Sequence, residues 1–193
     1  MSSEPAAKHV PTGPSSQASG PDIRIAISGK SGCGNSTVSR IVATRLGLRV
    51  VNYTFKDLAR DRGMSFEEVC RLAENDSQYD LTIDRMQVSL AQEGRCVLGS
   101  RLAIWLLKET ALTVYLEAGL SARAARISRR EGIPLDIALD NTAQRDLRDH
   151  NRYKRLYGYD VDDYRFADLI IDAEALNQEA VAELIMKRAR AGG

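Results

Sequence analysis

The sequence GKSGCGNST, residues 29–37, is the most informative stretch of the chain. It follows a short apolar run at residues 23–28 and leads into residues 36–46, where apolar side chains recur at helical spacing. A glycine-rich turn between a buried strand and a helix is typical of a phosphate-binding loop, because its backbone N–H groups can point at phosphate oxygens. We therefore predict that a nucleotide's phosphates are bound by the loop residues, which are Gly29, Lys30, Ser31, Gly32, Cys33, Gly34, Asn35, Ser36 and Thr37. An ordinary glycine-rich turn is the alternative, and the flanking strand and helix argue against it.

One position of this loop departs from the pattern G-x-x-x-x-G-K-[ST], since Asn35 stands where the lysine belongs. Losing one preorganised donor at a reacting phosphate can cost about 3–4 kcal/mol, by analogy with oxyanion sites. Lys30 occupies a place that resembles the extra lysine of deviant phosphate loops in another branch of P-loop proteins, and it could swing back over the phosphates. The alternative is that Lys30 is a solvated loop residue. Ser36 is placed to hold the magnesium ion that accompanies ATP.

The order of elements predicts an α/β fold of the P-loop NTPase type. Apolar runs predict strands, and 3.6-residue periodicity predicts helices between them, so the sheet should be parallel and covered by helices on both faces. The predicted strands are residues 23–28, 48–53, 95–99, 112–116 and 169–171. The predicted helices are residues 36–46, 54–62, 66–75, 78–93, a short segment after residue 99, two arginine-rich helices that divide near Gly132 and Pro134, and residues 179–190.

Composition narrows the range of functions and places the folded domain. Residues 1–21 hold four of the five prolines, and we predict a disordered tail there, followed by one domain over residues 22–190. The net charge of +1 argues against a nucleic acid as the main partner. The three widely spaced cysteines, the absence of a leader and the absence of a long apolar run lead us to expect a cytoplasmic protein that does not enter a membrane. We also expect a monomer.

Two arginine stripes occupy the predicted helices after residue 119. The first set is Arg123, Arg126 and Arg130, which fall at i, i+3 and i+7 and therefore share one helix face. The second set is Arg145, Asp149 and Arg152, which fall at i, i+4 and i+7 and share one face as well. Together the stripes could close over a polyphosphate as a lid. Solvated helix faces with local ion pairs are the alternative, and an RNA-binding patch is a weaker one because few aromatic residues lie between the charges.

Several stretches resemble cytidylate kinases, especially the compact type found in archaea and similar bacterial proteins. The clearest are VLGSRLAIW at residues 97–105, where that family commonly has VLEGRLAGW, and RDLRDHNR at residues 145–152, close to the bacterial RDDRDRNR. The similarity extends from about residue 23 to residue 190. It implies a nucleoside monophosphate kinase with acceptor-binding and lid helical segments, which transfers the γ-phosphoryl group of ATP to CMP or dCMP with Mg²⁺.

The resemblance also implies roles for single residues. The implied acceptor-binding residues are Lys56 (an arginine in the family), Arg101, Arg145, Asp149 and Arg152. The lid arginines that would stabilise charge on the transferring group are Arg123, Arg126 and Arg130, in addition to the Lys30 of the loop.

Two departures from the family fall on the reacting centre and leave other functions open. Asn35 replaces the loop lysine, and Gly99 stands where the family has an acidic residue near the metal and acceptor. Both changes would also suit a nucleotide-binding regulatory protein with little turnover. A third hypothesis keeps the kinase and changes the acceptor to another monophosphate, shikimate or dephospho-coenzyme A.

Overall fold

The computed structural model describes residues 22–191. The predicted tail at residues 1–21 lies outside the described residues, so its disorder stays a prediction. The elements in chain order are β1 (Arg24–Ser28), α1 (Asn35–Leu46), β2 (Arg49–Val51), α2 (Phe55–Arg62), α3 (Phe66–Ala73), α4 (Gln78–Gln92), β3 (Cys96–Gly99), α5 (Ala103–Leu106), β4 (Leu112–Glu117), α6 (Leu120–Glu131), α7 (Leu135–Tyr157), β5 (Leu169–Asp172) and α8 (Gln178–Ala191).

The five strands form one parallel sheet in the order β2-β3-β1-β4-β5. Consecutive side chains of the central strand β1 enter different cores, because they point to opposite faces of the sheet. Ile25 and Ile27 pack with α1 and α8, whereas Ala26 packs with residues of α4, α5 and β4. Helices therefore cover both faces, and the predicted fold class is confirmed.

The predicted elements agree with the structure to within a few residues, and the largest difference is the second strand. That strand was predicted over residues 48–53 and spans only Arg49–Val51 at the edge of the sheet. Helix α7 is unusually long, at 23 residues, and carries the whole RDLRDHNR stretch. None of the helices within residues 22–191 is both long and apolar enough to cross a membrane.

The topology places the glycine-rich loop at the middle of one sheet edge. β1 ends at Ser28 between its neighbours β3 and β4, with Ile27 in register with Gly99 and Ser28 with Tyr115. Ligands of open parallel sheets bind outside the carboxyl ends of the strands, where neighbouring connections diverge. The loop after β1 occupies that position.

Candidate active site

A cavity of about 790 Å³ opens at this sheet edge and contains most of the predicted nucleotide-binding residues. The loop forms its floor, the ends of β3 and β5 form its sides, and α6 and α7 contribute charge from above. Its lining includes residues 30–38, Gly99, Ser100, Arg101, Arg126, Arg129, Arg130, Arg145, Ala173, Leu176, Asn177, Gln178 and Val181. A cavity of this size is within the range for small-molecule sites.

The loop presents unused backbone donors to this cavity. Gly32 and Gly34 have φ angles of 90° and 101°, a backbone conformation that glycine adopts readily. The loop closes through the Cys33 N–H, which donates to the Lys30 carbonyl, and α1 begins with bonds from residues 37 and 38 to Gly34. The N–H groups of residues 32, 34, 35 and 36 donate to no other described group. With the N-terminus of α1 behind them, these four donors suit an anion.

Asn35 closes the loop instead of extending into the cavity as a cation would. Its Nδ2 donates to the carbonyl of Gly29 over 2.7 Å, joining the last turn of the loop to the first. Its Oδ1 is buried without a hydrogen-bond partner. Asn35 therefore retains a structural contact for the loop and supplies no charge to a phosphate.

Lys30 points to the edge of the site, where its Nζ forms an ion pair with Asp162 Oδ1 at 2.7 Å. The same carboxylate is 3.0 Å from His150 Nδ1, and the hydrogen bond from Lys30 is the main reason why the pKa of Asp162 is lowered. Both partners of the ion pair are substantially exposed, and such pairs contribute at most about 1 kcal/mol. A bound polyphosphate could thus compete with Asp162 for Lys30.

Arg123 is placed differently from the other two members of its stripe. Its side chain is only 4% exposed, and its guanidinium binds both carboxylate oxygens of Asp146 at 2.7 and 3.1 Å. It also donates to the carbonyls of Ser31 and Ala118. In the structure Arg123 is held by Asp146 and the loop, because this face of α6 is turned inward against α7, and its predicted contact with the transferring group stays a prediction.

Four arginines of α6 and α7 do line the cavity. Arg126 donates to the carbonyls of Gly32 and Ala173, and Arg145 donates to Ser31 Oγ. Arg130 is largely exposed, and Arg129, which the sequence analysis did not single out, lies beside it. The spacing of residues 126, 129 and 130 places them on one helix face, so that the sequence carried a signal for Arg129.

A second charged group lies between α4, α7 and the residues after β3. Arg101 binds Asp149 at 2.6 Å, and Arg152 binds Asp80 at 3.0 Å. Burial raises the pKa of Asp80, while Arg152 and Arg101 oppose the shift. The structure therefore brings together the predicted acceptor residues Arg101, Asp149 and Arg152, and adds Asp80, which the sequence analysis missed. Arg145, which was predicted with them, instead contacts the loop at Ser31 Oγ.

Lys56 does not join this group. It is exposed on α2, with its ammonium 5.7 Å from the centre of the Phe66 ring on α3. Among the described residues it lines neither the large cavity nor the Arg101 group. Its predicted contact with an acceptor phosphate stays a prediction.

Cys33 is buried within the loop, and burial raises the pKa of its thiol to about 11. The nearby Arg123 guanidinium opposes this shift without overcoming it. A thiol of this kind is almost entirely protonated at neutral pH and acts as a small packing group.

Gly99 ends β3 directly beneath α1, where a side chain has no room. A Cβ at this position would lie 2.2 Å from Ser39 Oγ and 2.9 Å from Ser39 Cβ. Ser39 is buried, and its hydroxyl has no hydrogen-bond partner in the described chain. The glycine that stands here in place of the family's acidic residue therefore suits the packing of Ser39, which would have to shift to admit a side chain.

The substitution Gly99→Glu should lower the free energy of unfolding by about 1–3 kcal/mol, because the new side chain overpacks the contact between β3 and α1. Combining it with Ser39→Ala should recover part of this loss, since the closest contact is removed. Urea denaturation of both variants, with Ser39→Ala alone as the control, measures the effect. If Gly99→Glu has the same free energy of unfolding as the wild type, Ser39 can shift to admit a side chain without loss of stability.

Comparison with known proteins agrees with this geometry. A family model described as "Cytidylate kinase-like family" matches residues 24–175. A protein named cytidylate kinase 2 from Borreliella afzelii is 42% identical over 167 residues, which cover 84% of this chain and 94% of that protein. A cytidylate kinase from Methanocaldococcus jannaschii is 36% identical over 167 residues, covering 83% of this chain and 94% of that one.

Among solved structures, shikimate kinase from Bacteroides thetaiotaomicron superimposes with a TM-score of 0.61. The superposition covers 87% of this chain and 98% of the shikimate kinase chain, and the two sequences are 14% identical. This likeness concerns the fold alone. The loop, the arginine-lined cavity and relatives that match over most of their length lead to the same assignment. The chain belongs to the cytidylate kinase-like family and is an ATP-dependent kinase of the nucleoside monophosphate class.

Proposed function

We propose that this protein transfers the γ-phosphoryl group of ATP to CMP or dCMP, giving ADP and CDP or dCDP. The observation that carries the proposal is the joining of two charged sites at one sheet edge. The glycine-rich loop and its arginines suit a polyphosphate, and the Arg101–Asp149 pair beside it suits the phosphate and ribose of an acceptor. The two relatives named above carry the name cytidylate kinase.

On the donor side, the proposal assigns the ATP phosphates to the four free N–H groups of residues 32, 34, 35 and 36. Arg126 spans the loop and the residue after β5, so it can hold a nucleotide against both. Arg130 and Arg145 would share the charge that develops on the transferring group, with Lys30 joining them after leaving Asp162. Arg123 acts through the loop: by binding the Ser31 carbonyl, it fixes the backbone that presents these donors.

Mg²⁺ fits this donor site through Ser36. The Ser36 side chain is exposed at the start of α1, lines the cavity and makes no hydrogen bond to another described residue. Magnesium is usually held by few protein oxygens together with phosphates and water, so a single hydroxyl suffices. When bound, the ion would neutralise phosphate charge.

On the acceptor side, Arg101 and Arg152 would hold the monophosphate, and Asp149 would accept hydrogen bonds from ribose hydroxyls. Asp149 is ion-paired to Arg101 and lies near Arg152, and its carboxylate is mostly shielded from solvent. Transfer then depends on in-line positioning rather than on a covalent intermediate, since phosphoryl transfer needs chiefly alignment and dispersed positive charge. We propose that a monomer is sufficient for this reaction.

Asn35 favours a second candidate function, a nucleotide-binding regulatory protein with impaired turnover. The asparagine keeps the loop closed without supplying charge, and Gly99 offers no carboxylate at the reacting centre. Such a protein would bind ATP and CMP and release little ADP.

A steady-state assay of ADP formation distinguishes these candidates. With ATP, Mg²⁺ and each of CMP, dCMP, UMP, AMP and shikimate, we expect turnover with the two cytidine nucleotides and at least tenfold lower kcat/KM for the others, roughly the discrimination that one polar contact provides. Binding of ATP and CMP without turnover would support the regulatory protein. Turnover with shikimate would reassign the acceptor.

A further inference from the structure

A stripe of hydrogen-bond acceptors runs along α4. Asp80, Asp84 and Gln87 follow one another at i, i+4 and i+7 and therefore share one helix face. Asp80 and Gln87 are each only 9% exposed. From α7, the Arg152 guanidinium binds Asp80, and the Tyr157 hydroxyl donates to Asp84.

At least two acceptors on this stripe receive no hydrogen bond from a described donor, and Arg152 Nε opposite them is likewise buried without a partner. Asp84 receives the Tyr157 hydroxyl at Oδ2, and no described donor engages its Oδ1. Gln87 is fixed by a bond of 2.9 Å from Nε2 to the Tyr53 carbonyl, which leaves Oε1 buried without a partner. Gln87 Oε1 is buried without a partner, and Asp84 is half-buried and lines a cavity with Leu106 and Tyr157, so both oxygens can accept a donor that a ligand supplies.

The stripe borders the proposed acceptor site. Asp80 is ion-paired to Arg152. Burial raises the pKa of Asp84, and the hydrogen bond from Tyr157 and the charges of Arg152 and Arg101 oppose this shift. Asp84 lies one helical turn beyond Asp80, so a ligand whose phosphate is held by these arginines would carry its base along this face of α4.

Asp80 and Asp84 have different electrostatic partners. Arg152 balances the charge of Asp80, which makes Asp80 a positioning residue for that guanidinium. Asp84 is bound by a neutral phenol and keeps a carboxylate oxygen for a ligand. A ligand that presents an N–H or O–H donor therefore fits this oxygen better than one that presents a carbonyl.

We propose that Asp84, assisted by Gln87, recognises the 4-amino group of a cytosine base and so determines which pyrimidine the enzyme accepts. This inference rests on the proposed function. Cytosine presents an N–H₂ group at position 4, whereas uracil presents a carbonyl oxygen there. A carboxylate attracts the first and repels the second, so one side chain both selects cytosine and rejects uracil.

Asp84→Asn tests the proposal with little change in side-chain size. The amide loses the charge and can turn its NH₂ toward the uracil oxygen, so the ratio of kcat/KM for CMP to that for UMP should fall by about 10- to 100-fold. Asp80→Asn should raise KM for both nucleotides alike, because it acts through Arg152. Asp140→Asn, an exposed site on the same α7 that bears Tyr157, is the matched control and should leave the ratio unchanged.

Binding of the nucleosides gives a second readout that does not need turnover. Titration calorimetry should show weaker binding of cytidine to Asp84→Asn, and no weakening for uridine. If the wild type phosphorylates CMP but the variant keeps the wild-type ratio, this inference is overturned while the proposed function stands. If the wild type phosphorylates no monophosphate yet binds cytidine through Asp84, the proposed function is overturned while recognition of the cytosine base by Asp84 stands.

A folding defect is distinguished by thermal melting and by Tyr157→Phe. That variant keeps the carboxylate and removes the hydroxyl that orients it, so the CMP-to-UMP ratio should fall by a smaller amount, about threefold to tenfold. Equal losses for CMP and UMP in both variants would show that Asp84 supports the fold alone and would overturn the proposal.

Discussion

Replacing Arg123 by methionine should lower the free energy of unfolding by about 3–5 kcal/mol and weaken ATP binding severely. The guanidinium is nearly inaccessible, and its removal leaves the Asp146 carboxylate largely buried without its cation. It also frees the Ser31 carbonyl, so the loop loses a contact that orders its backbone. Denaturant unfolding measures the first effect, and fluorescence titration with a labelled ATP analogue measures the second.

A double variant separates stability from loop positioning. Arg123→Met with Asp146→Leu replaces the ion pair by apolar side chains, and such replacements are often neutral for stability. We expect most of the lost stability to return while ATP binding stays weak, because the Ser31 carbonyl is still unbound. Arg148→Met, an exposed position on α7, is the matched control and should change stability by less than about 0.5 kcal/mol. Recovery of ATP affinity in the double variant would contradict the positioning role.

Asn35→Lys should raise kcat by about 100-fold or more. The asparagine closes the loop through Gly29 but carries no charge, and one preorganised donor at a reacting phosphate is worth about 10²–10³ in rate. The substitution also removes the unpartnered Oδ1. The measurement is kcat at saturating ATP and CMP, with Asn35→Ala as the control that removes the loop contact without adding charge.

Substituting Lys30 as well completes a double-mutant cycle between positions 30 and 35. If Lys30 replaces the missing lysine, Lys30→Ala should reduce kcat of the wild type by roughly 100-fold and should have a much smaller effect in the Asn35→Lys background. Equal effects in both backgrounds would show that Lys30 acts independently of position 35. A kcat of Asn35→Lys that stays at the wild-type level would show that Asn35 leaves no deficit of charge.

The fold was largely predictable because its signals are local. Apolar runs and the glycines that follow α1 and α6 lie within the elements that they define, so the element bounds differ little between prediction and structure. Strand order depends on contacts across the sheet, such as Ile27 beside Gly99, which are distant in sequence. The second strand was overestimated because an edge strand pairs on one side only, so its length depends on its single neighbour β3.

The site was predictable in composition and less so in geometry. Helical spacing grouped Arg123 with Arg126 and Arg130, but spacing cannot say which of them the packing of α6 on α7 will bury. Asp146, the partner of Arg123, lies within the sequence span of the second stripe but on a different face of the helix. The pairing of Lys30 with Asp162 joins residues 132 positions apart, which no local pattern encodes.

The acids of α4 show the same limitation. In the sequence, Asp80 and Asp84 resemble a solvated helix face, which is what most charged i, i+4 patterns are. Only the packing of α7, which places Arg152 and Tyr157 opposite them, shows that these carboxylates form a partly buried surface of hydrogen-bond acceptors. Gly99 is a similar case, since its need for glycine arises from Ser39 on another element.

A single-turnover transfer tests the kinase assignment most directly. Enzyme in excess over γ-labelled ATP is mixed with Mg²⁺ and CMP, and the label is followed by chromatography, so that even a slow site set by Asn35 is detected. We expect the wild type to form labelled CDP, and Asn35→Lys to form it faster. Unreacted ATP or labelled inorganic phosphate alone, at concentrations where both nucleotides are bound, would contradict it.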